Sequence, residues 1–554
     1  MNNIQWISLE SSLESHPLKT KIHFFSQQFL IDPILMQWLF HQGFDNEDKL
    51  DDLFFPSINH FHDPFLLNDM KKAVYRIIKA IRKKEKIMVF GDYDVDGITA
   101  TTILVKALTY FEADVSFRLP LRSEGYGITS SAVQEIAARN ISLIVTVDNG
   151  SSAHEAMKEA RKRGIDVIVT DHHDILKEHP HCYAFINPKR FDNTYPFNDL
   201  CGAGVALKVV ESLFNLSNRP WYKYAGPYLE LATIGTIADL VSLRNENRVI
   251  CQFGLKRLNM NPQPVLKKLF QLLKISHVDS STIGFQIAPI LNAVGRIDDP
   301  NLAASLLLNP QTSMNDLKTL VEYNKQRKKM TNSQYQLVEK EIADNQLNKQ
   351  NVIVVNGDFN KGIIGILASR ISEKFKRPSI VISSCGTGSC RGVNGTDFSM
   401  IQTLERCSHF FLKYGGHQAA AGFSLNVDCI QSFNEAIQYS AAKESLQSTI
   451  TKQYLCVLPI QSFSNEMGND FEILEPYGMG FTKPIFQSST VNCKKIETFG
   501  MYNEHLKLEI DKKKLLGFGK GDVLPECQTR AMHFLYTLNS SKYNTFLIED
   551  VKFS

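Results

Sequence analysis

Between residues 60 and 190 the chain alternates short apolar runs with longer stretches of helical spacing. The run KIMVF at 86–90 ends in an acidic, glycine-containing loop, and a helix is expected from about 99 to 110. ISLIVTV at 141–147 repeats the arrangement with a helix over 151–163, and IDVIVT at 165–170 again ends in a charged loop. Apolar strands separated by helices predict βαβ units and a parallel sheet covered on both faces. Ligands of such sheets sit at the carboxyl ends of the strands. Residues 215–310 read as largely helical, and a polar helical connector carrying KQRKKM follows from about 314 to 350. A second α/β region opens at NVIVV (351–355) and continues through a helix near 363–375 and PSIVIS at 378–383. Short strand-like runs over 450–554 (YLCVLPI, LKLEI, YNTFLIE) suggest a small β-barrel. The expected divisions are an amphipathic, loop-like preface (1–60), a parallel-sheet domain with a helical extension (61–310), a connector helix (311–350), a second α/β domain (351–449) and the barrel (450–554).

A length of 554 residues supports this division, because a single core rarely exceeds about 250–300 residues. No stretch reaches the ~18 apolar residues of a membrane-spanning helix. The polar opening MNNIQWISLESSLESHPLK lacks a basic segment followed by an apolar one, so the expectation is a cytoplasmic enzyme without membrane partners. The ten cysteines form no CxxC pair and read as reduced thiols rather than as a zinc or redox site. Sixty-one Lys and Arg against 58 Asp and Glu leave a formal charge of +3, which neither demands nor excludes nucleic acid.

The placement of the acids changes the picture. GDYDVDG follows the first strand, with Asp92, Asp94 and Asp96; DNG follows the second, beginning at Asp148; DHH follows the third, as Asp171, His172 and His173. The later segment LATIGTIADLV brings Asp239. Alone, the first motif could be a calcium loop or a solvated turn, and DNG is an ordinary turn sequence. Together they deliver carboxylates and imidazoles to one edge of one sheet. So many like charges raise one another's pKa unless a cation neutralises them. Two divalent ions ~3.5–4 Å apart would do so, and would suit phosphodiester hydrolysis. Carboxylate oxygens favour Mg²⁺ or Mn²⁺, and an imidazole tilts the choice toward Mn²⁺.

These residues resemble the four motifs of the DHH phosphoesterase family: a DxDxDG-type loop, a second acidic loop, the DHH triplet and a later lone Asp. The resemblance implies a parallel-sheet catalytic domain and a DHH-associated α/β domain joined by a long helix, with a C-terminal OB-like barrel. It implies Asp94, Asp96, Asp148, His172 and Asp239 as metal ligands for two Mn²⁺ or Mg²⁺ ions. Asp171, His172 and His173 would be catalytic, and Asp92 would stand just behind the ligands. LRSEGYGI (121–128), LCGAGVALK (200–208), GTIADLVSL with NENR, and IAPILNAVGRI (287–297) are similar to the single-strand-specific exonuclease branch of the family. GSCRGVNG (388–395) and GGHQAAAGF (415–423) are similar to its DHH-associated domain. By that resemblance Arg296, Ser389 and Arg391 grip a 5′ phosphate, Gly415, Gly416 and His417 form a phosphate-holding loop, and Arg122 contacts the strand. A glycine pair before a histidine also lets backbone N–H groups approach an anion.

The implied substrate is single-stranded DNA, cut 5′→3′ in repair and recombination. The implied partners are a RecQ-type helicase and a single-strand-binding protein. LEPYGMGFTKPIF (474–486) resembles the entry to the barrel, where Phe481, Phe486 and Tyr502 are candidate stacking platforms. Phe90 stands where related pyrophosphatases carry a ligating His, and FNKGIIGI has Asn360 where the exonuclease branch often has His. Alternatives are a phosphodiesterase for very short oligonucleotides or cyclic dinucleotides, a non-catalytic single-strand-binding scaffold, and a manganese-dependent pyrophosphatase.

Overall fold

The computed structural model describes residues 4–10, 16–175, 178–443, 451–493, 495–500, 503–540 and 545–553. These form two compact units. The first contains residues 62–241 and 253–450, and the second residues 4–61, 242–252 and 451–554.

The first unit opens with a five-stranded sheet of β1 (Ile87–Phe90), β2 (Val115–Arg118), β3 (Leu143–Val147), β4 (Asp166–Thr170) and β5 (Ala184–Ile186). Their order is β2-β1-β3-β4-β5 and every pairing is parallel. β1 and β3 are buried at every position, as strands covered on both faces must be. Phe90 pairs with Thr146 and Val147 with Thr170, so the carboxyl ends of β1, β3 and β4 are level. The loops that carry the acids therefore leave from one edge. α1 (Val95–Tyr110) packs between α2 (Gly202–Leu216) and α3 (Gly226–Ala238), and 13 of its 16 residues are buried. Phe90 packs with Met88, Ile144, Val169 and Phe185 in a hydrophobic core.

α4 (Ala288–Ile297) packs against α5 (Met314–Asp344), the 31-residue connector. A reciprocal cap starts α5: the Ser313 hydroxyl accepts from the Asp316 N–H, and the Asp316 carboxylate accepts from the Ser313 N–H. A second five-stranded sheet follows, from β6 (Ile353–Gly357), β7 (Ser379–Ser383), β8 (Thr387–Arg391), β9 (Phe411–Gly416) and β10 (Ala420–Leu425). Its order is β9-β10-β8-β7-β6, with only β6 and β7 parallel. α6 (Ile364–Phe375) covers one face through Ile364, Leu367, Ala368 and Ile371.

In the second unit, six strands from Phe486–Gln487 to Thr545–Phe553 form one sheet. The expected loop-like preface is instead helical over His16–Phe29, Pro33–His41 and Glu47–Phe54. Its apolar side chains, among them Leu35, Met36, Trp38 and Leu39, share a single core with Phe471, Leu508, Phe534 and Phe546. Asp32 and Asn46 cap the second and third of these helices with their side chains, a start signal that the sequence carries. Two of the candidate stacking platforms need correction. Phe481 and Phe486 are fully buried, the former among Trp38, Phe44 and Tyr477, because this stretch packs the core instead of lining a groove. Tyr502 lies outside the described residues.

Candidate metal centre and its arginine flank

The loops after β1, β3 and β4 bring seven polar side chains together. Asp94 caps α1, its carboxylate accepting from the Gly97 N–H at 3.0 Å. Gly97 has no room for a Cβ, which would meet the Asp92 carbonyl oxygen at 2.5 Å. Asp96, one turn into α1, accepts from the first two N–H groups of α2, those of Gly202 at 2.6 Å and Ala203 at 2.8 Å. A helix N-terminus favours an anion there. The GAG run therefore has two purposes: its N–H groups hold Asp96, and a Cβ on Gly202 would overlap the Asp148 side chain. Asp148 adopts a left-handed backbone (φ 61°), unusual for a residue other than glycine, which turns its side chain at the strand end.

His172 Nε2 lies 3.1 Å from Asp148 Oδ1, 3.6 Å from Asp96 Oδ2 and 3.7 Å from Asp239 Oδ2. Asp239 follows α3 directly and caps its C-terminus. Three overlapping sets each offer ligand atoms within 4.8 Å of one another: Asp148 with Asp171, His172 and His173; Asp96 with His172 and Asp239; and Asp92 with Asp94 and Asp148. The last set brings Asp92 in beside Asp94, and its buried Oδ1 has no hydrogen-bond partner.

Burial and then the Asp94 charge push the Asp92 carboxyl well up, and the same two causes take Asp96 to about 6. Burial and the Asp96 charge raise Asp148 well above the carboxylate range and bring Asp239 to about 8. Burial and the neighbouring His173 lower His172 to about 3, so its imidazole is neutral. A neutral imidazole nitrogen set among three carboxylate oxygens is the arrangement that a shared cation would bridge.

Asp171 has a different job. Its carboxylate accepts from the N–H groups of Ser151 (2.8 Å), His172 (2.8 Å) and His173 (3.2 Å), and meets His173 Nδ1 at 2.8 Å. Burial alone would raise its pKa, yet the His173 charge and the hydrogen bonds outweigh burial and hold it below its ordinary value. Burial lowers His173, but Asp171 overrides this and lifts it to about 9.

Two further residues of the centre do not stand out in the sequence. Tyr126, within the EGYG segment, donates its hydroxyl to the Asp148 carbonyl at 3.0 Å and meets His173 Nδ1 at 3.0 Å. Asn149 is fully buried; its amide donates to the carbonyls of Phe90 and Val147, and its oxygen accepts from the Ile128 N–H. A conformational reading of DNG as a turn hides that Asn149 ties two loops to a strand end.

The basic candidates assemble beside this centre. Arg122 stacks over the Tyr93 ring, 4.1 Å from its centroid, and its Nε donates to the Gly295 carbonyl at 2.9 Å. Arg296 donates to the Gly362 carbonyl at 2.9 Å; burial and the charges of Arg122 and Arg327 lower it to about 10. Arg391 on β8 donates to the Ser389 and Ser369 hydroxyls and the Cys390 carbonyl. Gly365, near the start of α6, lies against both Ser389 and Arg391. Gly415 and Gly416 end β9, where Gly416 has φ 149° and leaves no room for a Cβ against Ala421. His417 follows them with its side chain 72% exposed, and its Nδ1 is 3.7 Å from Asp174, next to the DHH triplet. Asn360 accepts from the Gly362 N–H at 2.8 Å and so shapes the loop that meets Arg296.

The DHH family N-terminal domain matches residues 86–236, the DHHA1 domain residues 349–443 and the RecJ OB domain residues 456–546. The chain is 31% identical over 477 residues to the single-stranded-DNA-specific exonuclease RecJ of Escherichia coli K12, covering 80% of this chain and 81% of that one. The chain belongs to the RecJ branch of the DHH family. It is also 33% identical over 528 residues to the Bacillus subtilis (strain 168) RecJ, covering 92% of this chain but 65% of that protein. It thus spans just under two thirds of that relative's length. The crystal structure of RecJ in complex with Mn²⁺ from Thermus thermophilus superposes with a TM-score of 0.83 at 25% identity, covering 99% of this chain and 80% of that one. A second exonuclease RecJ structure, bound to manganese, gives a TM-score of 0.60 at 30% identity over 69% of this chain and 96% of that one. The RecJ-branch match thus joins the parallel-sheet domain, the associated α/β domain and the OB domain in one chain.

Proposed function

We propose that this chain is a metal-dependent exonuclease that hydrolyses phosphodiester bonds of single-stranded DNA in the 5′→3′ direction, in DNA repair and recombination. The observation that carries the reading is the meeting of Asp92, Asp94, Asp96, Asp148, His172 and Asp239 at one level sheet edge, beside arginines that donate, among the described residues, to neutral oxygens. The names of the RecJ relatives supply the substrate class and the Mn²⁺ or Mg²⁺.

The residues present fit two divalent cations. Four carboxylates are pushed upward by burial and by one another, the Asp92 Oδ1 is buried without a partner, and the donors are oxygens and imidazole nitrogen. Asp94, Asp96, Asp148, His172 and Asp239 would hold the ions, with Asp92 reaching the same set. Such ions, when bound, supply charge stabilisation at the phosphoryl oxygens. The chain's own groups do the positioning. The α2 N-terminus aims Asp96, and Asp171 and Tyr126 fix His173 so that its imidazole faces the scissile group. Arg296, Ser389 and Arg391 hold the terminal phosphate, the Gly415–Gly416–His417 loop holds a further one, and Arg122 steadies the strand. We further propose a cytoplasmic setting, with a RecQ-type helicase and a single-strand-binding protein as partners. Among the described residues no helix is long and apolar enough to cross a membrane.

The test is digestion of a 5′-phosphorylated, 3′-labelled single strand with Mn²⁺, Mg²⁺ or EDTA, alongside an Asp148→Ala variant and the matching duplex. Shortening from the 5′ end is expected, absent on duplex, with EDTA and in the variant. Binding without cutting in either metal would make the protein a scaffold, and cutting of dinucleotides alone would make it a short-substrate phosphodiesterase.

A further inference from the structure

The basic run KQRKKM in the connector helix has no place in the metal centre or among the arginines named beside it. Within this run, Arg327 differs from its neighbours. Lys325 pairs with Glu322 on the helix surface, whereas Arg327 is half-buried and donates through Nε and Nη2 to one neutral acceptor, the Asn324 side-chain oxygen, at 3.1 and 2.9 Å. Asn324 is itself buried. The guanidinium is thereby held by its own helix through one edge, and its Nη1 lies on the other.

Its surroundings sharpen the contrast. Elsewhere in this unit Arg76, Arg118, Arg163, Arg190 and Arg257 each meet a carboxylate within 4.0 Å. Among the described residues Arg122, Arg296, Arg391 and Arg327 donate to neutral oxygens, as do Arg161 to the His181 carbonyl and Arg370 to Asn332 on the same connector. Three of the first four are tied by contact: Arg122 to Gly295, Arg296 to Gly362, and Gly365 to Arg391. Arg327 joins them electrostatically, since α4 packs along α5 and its charge bears on Arg296. The Arg122 and Arg327 charges both disfavour the Arg296 cation, the Asp94 carboxylate offsets them only in part, and an anion of high charge relieves the remainder.

We infer that Arg327 completes the pocket for the strand's 5′-terminal phosphate, as a fourth guanidinium supplied by the connector helix and aimed by Asn324. The inference rests on the exonuclease reading and adds a residue to it. A planar fork is required, because one edge of the guanidinium serves Asn324 while the other faces the phosphate. The connector then does more than join two domains. It carries part of the substrate's address, so that the end of the strand is felt by both sheets and by the helix between them.

The experiment uses the full chain and two fluorescent single strands that differ only in a 5′ phosphate or a 5′ hydroxyl. Affinity is read by anisotropy in EDTA, and steady-state cleavage is read in Mn²⁺. Arg327→Gln is expected to weaken the phosphorylated strand about fivefold to tenfold and the hydroxyl strand less than twofold. KM for the phosphorylated strand should rise while kcat stays within twofold. Arg327→Lys should recover only part of the loss, and melting temperatures of both variants check that each is folded. Equal weakening of both strands, or no weakening of either while Arg391→Gln abolishes the phosphate preference, would overturn the inference. A wild type that cuts no single strand overturns the exonuclease reading instead, so the two failures are distinguishable.

Discussion

Two regions of the first unit are charged against themselves, and the fold holds them by opposite means. At the sheet edge, carboxylates crowd together and are held by backbone N–H groups, those of Gly97, Gly202, Ala203 and Ser151. On the flank, Arg122 bears on Arg296, and these with Arg391 are held by neutral oxygens, chiefly the carbonyls of Gly295, Gly362 and Cys390. Main-chain dipoles orient each set, while burial and like charge disfavour ionisation in both, so each is relieved by an opposite charge. The near-zero net charge of the chain conceals this separation of an acidic edge from a basic flank. In the proposed function a phosphodiester strand would meet both sides, the acidic edge with its cations through the scissile group and the arginines through its end.

Breaking the acidic side should cost most. Asp148→Ala is expected to lower kcat by at least about a thousandfold in Mn²⁺ while single-strand affinity in EDTA stays within threefold, measured by gel assay and anisotropy. Gly202→Ala tests the same region through space alone, because the added Cβ would overlap Asp148. It should reduce cleavage nearly as far, and a variant with wild-type activity would show that the α2 N-terminus does not set the carboxylates. Mn²⁺ should raise the melting temperature of the wild type by several degrees and that of Asp148→Ala by much less, a readout independent of cleavage.

Breaking the basic side should look different. Arg391→Gln is expected to raise KM for a 5′-phosphorylated strand about tenfold or more and to leave kcat near wild type. If kcat fell instead, Arg391 would belong with the reacting atoms and the two regions would not be separable. Tyr126→Phe returns to the acidic side, and kcat should fall about fivefold to tenfold as His173 loses one of its two anchors.

The smallest effect concerns Cys385, on the turn before β8. Burial raises this thiol, but hydrogen bonds from Ser383, Thr387 and Lys361 outweigh it and bring it to about 6. A depressed pKa means that the thiolate is stabilised in the fold above that pH and is lost as the pH falls through it. Alkylation by iodoacetamide should therefore rise through about pH 6, not near 9.0 as for an ordinary thiol, and Lys361→Met should shift the midpoint upward.

The sequence revealed the acidic edge better than the rest of the site. Asp94, Asp96, Asp148 and Asp171 follow apolar runs, and strands buried on both faces of a parallel sheet end level at one edge, where the following loops must meet. The roles of Gly202 and Tyr126 were hidden because each acts through space on a residue far away in the chain: Gly202 by lacking a Cβ opposite Asp148, Tyr126 through a hydroxyl that reaches Asp148 and His173. Aromatic residues in the second unit were misjudged for a related reason. Phe481 reads equally well as a platform or as core until its neighbours Trp38 and Phe44, more than 400 positions earlier, are known. The helices over Pro33–His41 and Glu47–Phe54 had legible caps, but their apolar faces offered no partner within their own stretch of chain.

That partner's distance has a consequence for timing. Gln5–Ser8 pairs in parallel with Thr451–Tyr454, Trp6 donates to Asp550, and Leu35 and Trp38 share a core with Phe534 and Phe546. The earlier segment thus leaves the ribosome and waits for the later one across about 390 residues, or roughly 20–80 seconds of synthesis. The unit bearing both charged regions is synthesised during that interval and is complete in sequence only at its end, while the helices that precede it expose apolar faces to whatever holdase is near. A nascent chain stalled late would therefore carry an assembled acidic edge and an unfinished second unit with its apolar faces uncovered.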